Sequence, residues 1–219
     1  MLERMETFFA NRVDAYEEHM KSIDGLLEAY AEMARTLPTN VATLLDLGCG
    51  TGLELEEIFK LHQNVKVTGI DITREMLEKL REKYNDKQIE LICASYVDRD
   101  FGLESFDAAI SFKTMHHLTR EQKRNVYSAV RRALKPGGCY IECDYMVLTQ
   151  SEEDRYFAEN RNLRESHGAA DGEFYHYDAP MTVENNIRLL YAAGFKSAEA
   201  VWSRNCAAIV VAKKVECIS

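Results

Sequence analysis

The sequence predicts one α/β domain, with a doubly wound, mostly parallel seven-stranded sheet, an antiparallel final strand and an N-terminal helical cap. Short, almost wholly apolar segments alternate with helical patterns, which is typical of strands buried on both faces of a sheet. The last two apolar segments lie too close together for a crossover helix, so they should pair antiparallel. A chain of 219 residues is also long enough for one sizeable core.

The N-terminal part predicts a helical cap over residues 1–37. From Asp14 to Thr36 the apolar residues recur at steps of three and four, which indicates one or two amphipathic helices. Pro38 ends this pattern, because proline and the residue before it resist helix.

The central part, residues 41–145, alternates strand and helix patterns and should form the ligand-binding core. Its predicted strands are 41–48, 65–71, 88–95, 106–112 and 139–146, and its predicted helices are 53–62, 74–84 and 119–135. The basic residues of the third helix, among them Lys123, are expected on a solvated face.

The final part, residues 182–214, predicts a helix at 182–194 and two strands at 197–203 and 205–214. The segment before it, 146–181, is too long for an ordinary connection between elements. Long inserts at the carboxyl ends of strands commonly carry function, so we expect a lid-like insert here.

Composition and charge indicate which classes of binding partner and which cellular compartment to expect. A net charge of -9 disfavours nucleic acid, whose binding surfaces usually carry a basic excess. The acidic N-terminus lacks the apolar run of a signal peptide, and no stretch approaches a membrane span. The six cysteines form no CxxC pair, which fits free thiols in the cytoplasm.

A glycine-rich turn, "LLDLGCGTGLELEEIF" at residues 44–59, joins the first strand to its helix. Such a turn lets the backbone approach a ligand closely. Leu53 follows Gly52 where a P-loop needs lysine, and the GxGxG spacing differs from the GxGxxG of dinucleotide sites. Asp46 and the acids at the helix start favour a cationic ligand over a pyrophosphate.

A carboxylate that can accept ribose hydroxyls, Asp71, ends the second strand. A single ligand that carries both a ribose and a positive charge fits these two features, and S-adenosylmethionine is such a ligand. The segments "LLDLGCGTG", "VTGIDITREML", "FDAAISFKTMHHL", "ALKPGG" and "LLYAAGF" occur in this order. With them the chain resembles, over nearly its full length, the class I (Rossmann-like) S-adenosylmethionine-dependent methyltransferases of the small-molecule type.

The resemblance implies a cofactor site along the carboxyl ends of the strands. Asp46 and the glycine loop would hold the amino acid part, and Asp71 the ribose. Ser95 stands where the family often has an aspartate for the adenine amino group, so that bond should be weaker. Tyr16 of the cap either closes over the cofactor or only packs on the sheet. The implied cofactor residues are Tyr16, Asp46, Gly48, Cys49, Gly50, Gly52, Asp71, Ile72, Met76, Ala94, Ser95, Tyr96 and Ser111.

Candidates for catalysis are fewer, because methyl transfer requires chiefly alignment and desolvation. A base is needed only for a weakly acidic nucleophile. His116 after the fourth strand, Tyr145 at the end of the fifth and His176 in the insert are the catalytic candidates. A structural role for the histidine pair and an anchoring role for the insert's aromatic rings remain alternatives.

No metal site is predicted. His116 and His117 are adjacent, but no carboxylate lies at ligand spacing from them in the sequence. A metal held by His167, His176 and Asp178 of the insert is a disfavoured alternative.

The resemblance implies in-line methyl transfer to a small-molecule acceptor, without nucleic acid or membrane as partner, and leaves a homodimer open. One alternative is a carboxy-S-adenosylmethionine synthase-like enzyme, with Arg188 and Arg204 as candidate cations for the extra carboxylate. Another is a protein that binds the cofactor without transferring anything. A nicotinamide oxidoreductase is disfavoured by the glycine spacing.

Overall fold

The computed structural model describes residues 2–169 and 173–214. Residues 170–172 of the predicted insert and Cys217 lie outside this part. Its strands are β1 Thr43–Leu47, β2 Lys66–Asp71, β3 Ile89–Cys93, β4 Phe106–Phe112, β5 Leu134–Tyr145, β6 Ser197–Arg204 and β7 Ala207–Lys213. Its helices are α1 Met5–Ala10, α2 Val13–Ser22, α3 Leu26–Thr36, α4 Leu53–Leu61, α5 Arg74–Lys83, α6 Arg120–Ala133, α7 Gln150–Ser166 and α8 Val183–Ala192, with a 3₁₀ turn at Met115–His117.

The predicted fold class is confirmed. The strands form one seven-stranded sheet in the order β3-β2-β1-β4-β5-β7-β6. Strands β1 to β5 pair in parallel, and β7 runs antiparallel between β5 and β6. Apolar layers from α2 to α5 cover one face, and layers from α6 and α8 cover the other.

The topology places candidate functional side chains at one edge of the sheet. Strand β1 pairs in parallel with both β2 and β4, so the chain order reverses there. A crevice opens beyond the carboxyl ends of the strands at such a reversal. Asp46, Asp71 and Asp144 all lie at this edge, close to the ends of β1, β2 and β5.

Helix α1 lies inside the predicted helical cap but before its periodic pattern, which starts at Asp14, and helix α7 was not predicted. Helix α1 has only six residues and is held by other parts of the chain, as by the bond from Met5 N–H to the Phe174 carbonyl at 3.0 Å. Helix α7 lies inside the predicted insert and is polar, so it shows little helical periodicity. Its capping box of Thr149 and Glu152 is a signal that was readable in "TQSE".

The expectation of a solvated basic face on α6 is wrong for Lys123. This side chain turns toward the sheet, is 1% exposed and lies 2.9 Å from Glu142 of β5. A buried cation needs such a partner to offset its lost hydration.

Within the described ranges, no helix combines the length and the apolar character that a bilayer crossing requires.

Candidate functional site

The glycine loop between β1 and α4 presents its backbone to a ligand. Gly48, Gly50 and Gly52 have φ values of 68°, 48° and 68°, a region that glycine adopts at little cost. A Cβ on Gly48 would lie 2.4 Å from the Thr114 hydroxyl, whereas one on Gly50 would meet only the Tyr16 ring, at 3.8 Å or more. The loop is therefore closely packed at one end and accessible beneath Tyr16.

Asp71 holds this loop against β2. Its Oδ2 accepts the Gly50 N–H at 2.9 Å, and its Oδ1 accepts the Thr73 N–H at 2.8 Å. Burial raises the pKa of Asp71 in spite of these bonds. Each carboxylate oxygen can accept a further hydrogen bond, so the group remains able to bind hydroxyls.

Two buried carboxyl groups lie behind the loop. Asp46 is 1% exposed and Glu54, in the first turn of α4, is 6% exposed. Both Asp46 oxygens and the Glu54 Oε1 have no hydrogen-bond partner within the described part of the chain. Burial raises the pKa of Glu54 to about 7, and burial with the charge of Glu54 raises the pKa of Asp46. The pair is suited to receive a cation.

Ionising Glu54 beside Asp46 in a buried site costs free energy. We therefore expect Glu54→Gln to stabilise the folded protein at pH 8 by about 2 kcal/mol. Above the usual glutamate pKa and up to about 7, the folded protein keeps a proton that the unfolded chain has released. The contribution of this group to the free energy of unfolding therefore falls as the pH rises through this range. Urea unfolding at pH 5 and pH 8 should show a gain at pH 8 that shrinks at pH 5. The control is Glu56→Gln, on the exposed side of α4; equal gains in both variants would contradict the assignment.

Tyr16 lies over the loop because α2 is tied to α5. Lys79 is 2.9 Å from Asp14, and Lys83 pairs with Glu17. Lys83 Nζ also donates to the Thr51 carbonyl of the loop at 3.0 Å. Burial raises the pKa of Tyr16, so the phenol stays neutral.

A small cavity of about 30 Å³ lies where the ribose and adenine are expected. Asp71, Ile72, Ser95 and Tyr96 line it together with Gly48. Its volume is about that of one water molecule.

Met5, Phe9 and Phe174 also line this cavity. The segments that carry them are joined by backbone bonds from Met5 N–H to the Phe174 carbonyl at 3.0 Å and from His176 N–H to the Glu3 carbonyl at 2.9 Å. The N-terminal segment and the insert thus both contribute to the wall of this site.

Strand β3 places its predicted residues beside Asp71. The Ala94 N–H donates to the Asp71 carbonyl at 2.9 Å. The Ser95 hydroxyl accepts the Val97 N–H at 3.1 Å. The Tyr96 hydroxyl lies 2.7 Å from the Thr114 hydroxyl.

Other predicted cofactor residues lie away from this small cavity and from the larger one that opens beyond β4 and β5. The Cys49 sulfur packs against Gly69 of β2, and Met76 is 1% exposed in the core. The Ser111 hydroxyl lies 2.6 Å from the Tyr140 hydroxyl in a buried polar network, and Ser111 lines neither cavity. The role of Ser111 beneath the methionine part stays a prediction that this placement does not favour.

A larger cavity of about 570 Å³ opens beyond β4 and β5. All three catalytic candidates, His116, Tyr145 and His176, line it. Its other lining residues come from α1, α2 and the loops: Phe8, Phe9, Arg12, Ala15, Tyr16, His19, Met20, Ile23, Lys113, His117 and Asp178. Tyr16 contributes to this wall and also covers Gly50, so the cavity adjoins the glycine loop.

His116 is oriented by Asp144. Its Nδ1 lies 2.5 Å from Asp144 Oδ1, an oxygen that also accepts the Tyr145 N–H at 2.8 Å. Burial opposes ionisation of Asp144, but its close contact with His116 lowers its pKa overall. A carboxylate at this position keeps the proton on Nδ1 and leaves the Nε2 lone pair for another partner.

Asp178 of the insert joins the two histidines. Its Oδ1 lies 3.5 Å from His116 Nε2 and 3.3 Å from His117 Nδ1. The expectation that no carboxylate joins this pair is therefore wrong, because the tertiary fold supplies one from a distant segment. The set that includes His167 is not brought together: His167 is exposed and its Nδ1 is 2.9 Å from the Leu163 carbonyl.

The two other predicted catalytic residues have ring partners. The Tyr145 hydroxyl lies 3.0 Å from the Tyr156 hydroxyl of α7. His176 stacks on Phe8 with the ring centres 3.5 Å apart, and burial lowers its pKa to about 4.

The cations proposed for an extra carboxylate lie elsewhere. Arg188 pairs with Glu184 at 2.6 Å and Arg204 pairs with Asp24 at 3.1 Å, and neither arginine lines a described cavity.

Comparison with known proteins gives a family match in the core. Residues 44–138 match the family model described as a methyltransferase domain. The chain is 30% identical over 151 residues to 24-methylenesterol C-methyltransferase 2 of Oryza sativa subsp. japonica, covering 67% of this chain and 39% of that protein. It is 30% identical over 114 residues to O-methyltransferase cnsE of Penicillium expansum, covering 50% and 40%. The chain thus spans about two fifths of the length of these curated relatives.

The fold also matches solved structures. Human N-acetylserotonin methyltransferase, solved in complex with S-adenosylmethionine, superposes with a TM-score of 0.66 at 18% identity, covering 95% of this chain and 56% of that one. The two chains therefore share a fold.

Proposed function

Because the chain belongs to the class I (Rossmann-like) S-adenosylmethionine-dependent methyltransferases, we propose that it transfers a methyl group to a small-molecule acceptor held in the 570 Å³ cavity. The cofactor is S-adenosylmethionine. The observation that carries the proposal is the junction of the glycine loop, with its two buried carboxyl groups, and a cavity lined by His116.

The residues present fit this cofactor. Asp46 and Glu54 have buried oxygens without partners, which the cofactor's ammonium group would satisfy. The accessible Gly50 backbone would lie against its amino acid part, and Asp71 would accept its ribose hydroxyls. Tyr16 would cover it from the cap.

The lid-like insert and the cap have a role in this proposal. The 30 Å³ of free space is far smaller than an adenosine, so entry of the cofactor would displace lining side chains, with Met5, Phe9 and Phe174 as the candidates. Since these side chains belong to α1 and the insert, binding would separate the two segments or shift them together. Closure afterwards would exclude water from the reaction.

On the acceptor side, His116 lines the cavity with its Nε2 3.5 Å from Asp178 Oδ1. The lone pair of this nitrogen can take a proton from the acceptor or bind a cation. When bound, S-adenosylmethionine supplies a methyl group on a positively charged sulfur, which keeps the bonding electrons as the acceptor's lone pair forms the new bond. The apolar walls from Phe8, Phe9 and Met20 would align the acceptor for this displacement.

The other functions are less well supported. A carboxy-S-adenosylmethionine synthase-like activity would need a cation for the extra carboxylate, but both candidates, Arg188 and Arg204, form surface ion pairs. A non-catalytic binder would not need a 570 Å³ cavity beside the loop. We place the protein in the cytoplasm, in keeping with the five free thiols among the described residues.

The test incubates the protein with S-adenosylmethionine that carries a deuterated methyl group and with a panel of phenols, carboxylic acids, amines and thiols. Mass spectrometry should find the labelled methyl on at least one class, with S-adenosylhomocysteine formed in equal amount. S-adenosylhomocysteine without any methylated acceptor, or no turnover with any class, would count against the proposal.

A further inference from the structure

We propose that His116, His117 and Asp178 form a binding site for a divalent transition-metal ion at the wall of the acceptor cavity. One ligand atom from each residue, two imidazole nitrogens and one carboxylate oxygen, lies within 4.8 Å of the other two. His116 and His117 are buried, and Asp178 is half-buried.

The two distances from Asp178 to the histidines match the edges of a tetrahedral site. With bonds of about 2.0 to 2.2 Å to nitrogen and oxygen, tetrahedral ligands stand about 3.3 to 3.5 Å apart. Asp178 Oδ1 lies 3.5 Å from His116 Nε2 and 3.3 Å from His117 Nδ1. Both distances exceed those of good hydrogen bonds and equal the edges of such a tetrahedron.

The ligand atoms are prepared for an ion in two ways. Asp178 Oδ1 is buried and has no well-formed hydrogen bond within the described residues. Asp144 accepts from Nδ1 of His116 and so turns the Nε2 lone pair toward Asp178. A carboxylate behind a ligating histidine is the usual outer shell of a metal site. His117 would give up its long contact to the Tyr177 carbonyl, 3.3 Å, on ligation.

The ligand types select the ion. Two imidazoles and one carboxylate suit Zn²⁺, Fe²⁺ or Co²⁺, whereas Mg²⁺ and Ca²⁺ prefer oxygen alone. All three ligands line the acceptor cavity, so the remaining coordination positions face it. His176 lies further off, with Nε2 3.9 Å from Asp178 Oδ1.

The site would bind the acceptor's nucleophilic atom, a role that rests on the proposed function. An O–H or S–H group on a divalent ion loses its proton more readily, here to solvent. The lone pair left on oxygen or sulfur then forms the bond to the methyl carbon, and the carbon–sulfur bond of the cofactor breaks with its electrons going to sulfur. Alcohols, phenols and thiols are therefore the expected acceptors.

The test uses the full chain after treatment with a chelator and dialysis. Calorimetry with Zn²⁺ and absorption spectra with Co²⁺ should show one ion bound per chain, with the intense visible bands of four-coordinate cobalt. Asp178→Asn and His117→Ala should each weaken Zn²⁺ binding at least a hundredfold. The control His167→Ala, which removes an exposed imidazole outside the site, should change it less than twofold.

The same samples are titrated with S-adenosylmethionine, which separates the two proposals and reports folding. No stoichiometric Zn²⁺ binding by the parent chain, or equal binding by Asp178→Asn and the parent chain, overturns the metal site even where the cofactor binds. Zn²⁺ binding without any cofactor binding leaves the metal site standing and overturns the proposed function.

Discussion

Replacing Asp71 with alanine is expected to weaken S-adenosylmethionine binding at least tenfold, about 1.4 kcal/mol. The carboxylate would bind the ribose hydroxyls by charge-assisted hydrogen bonds, which are stronger than neutral ones. It also holds the glycine loop through the N–H groups of Gly50 and Thr73. Both effects act on the same ligand, so the loss should exceed that of a single neutral hydrogen bond.

Calorimetric titration of the variant measures this effect. The control is Asp100→Ala, which removes an aspartate that likewise accepts a local backbone N–H, from Gly102 at 3.1 Å, but lies on an exposed loop. Circular dichroism confirms that both variants are folded. An unchanged dissociation constant in Asp71→Ala would mean that the ribose lies elsewhere.

Replacing His116 with alanine is expected to reduce the methyl transfer rate by roughly two to four orders of magnitude, the contribution of a positioned acid–base group. Where the proposed metal ion is bound, the same substitution removes one of its ligands. The imidazole lines the acceptor cavity and is fixed through Nδ1 by Asp144. It takes no part in the glycine loop, so cofactor affinity should stay within a factor of two.

Single-turnover kinetics with the acceptor found in the labelling assay separate these two quantities. His167→Ala is the matched control, since that imidazole is exposed at the end of α7. A variant His116→Ala with full activity would show that the acceptor reacts without this group. A variant that also fails to bind the cofactor would show that His116 supports the fold instead.

The edge of the sheet that carries the cofactor candidates could be predicted from the sequence. Asp46 and Asp71 could be placed at one edge of the sheet because each lies at or near the end of a predicted parallel strand. The glycine spacing excluded other ligands by local backbone geometry alone. Glu54 was seen only as an acid at a helix start, because the burial that pairs it with Asp46 depends on packing from other elements.

The acceptor side could be predicted only in part. His116, Tyr145 and His176 were expected near strand ends or in the insert, but the contacts of His116 and His176 with Asp178 depend on how residues 173–178 fold back. That path is set by the bonds to the N-terminal segment, which carry no local sequence signal. The polar helix α7, which positions Tyr156 against Tyr145, was likewise hidden by weak periodicity.

A calorimetric titration of the full chain with S-adenosylmethionine, S-adenosylhomocysteine and NADH tests whether the glycine loop binds the cofactor. We expect saturable one-to-one binding of both adenosyl ligands, no binding of NADH, and tighter binding of S-adenosylmethionine at pH 8 than at pH 6, as the raised pKa of Glu54, about 7, requires. Absence of binding by both adenosyl ligands, once a co-purified occupant has been removed, would contradict the assignment of the glycine loop and the function built on it.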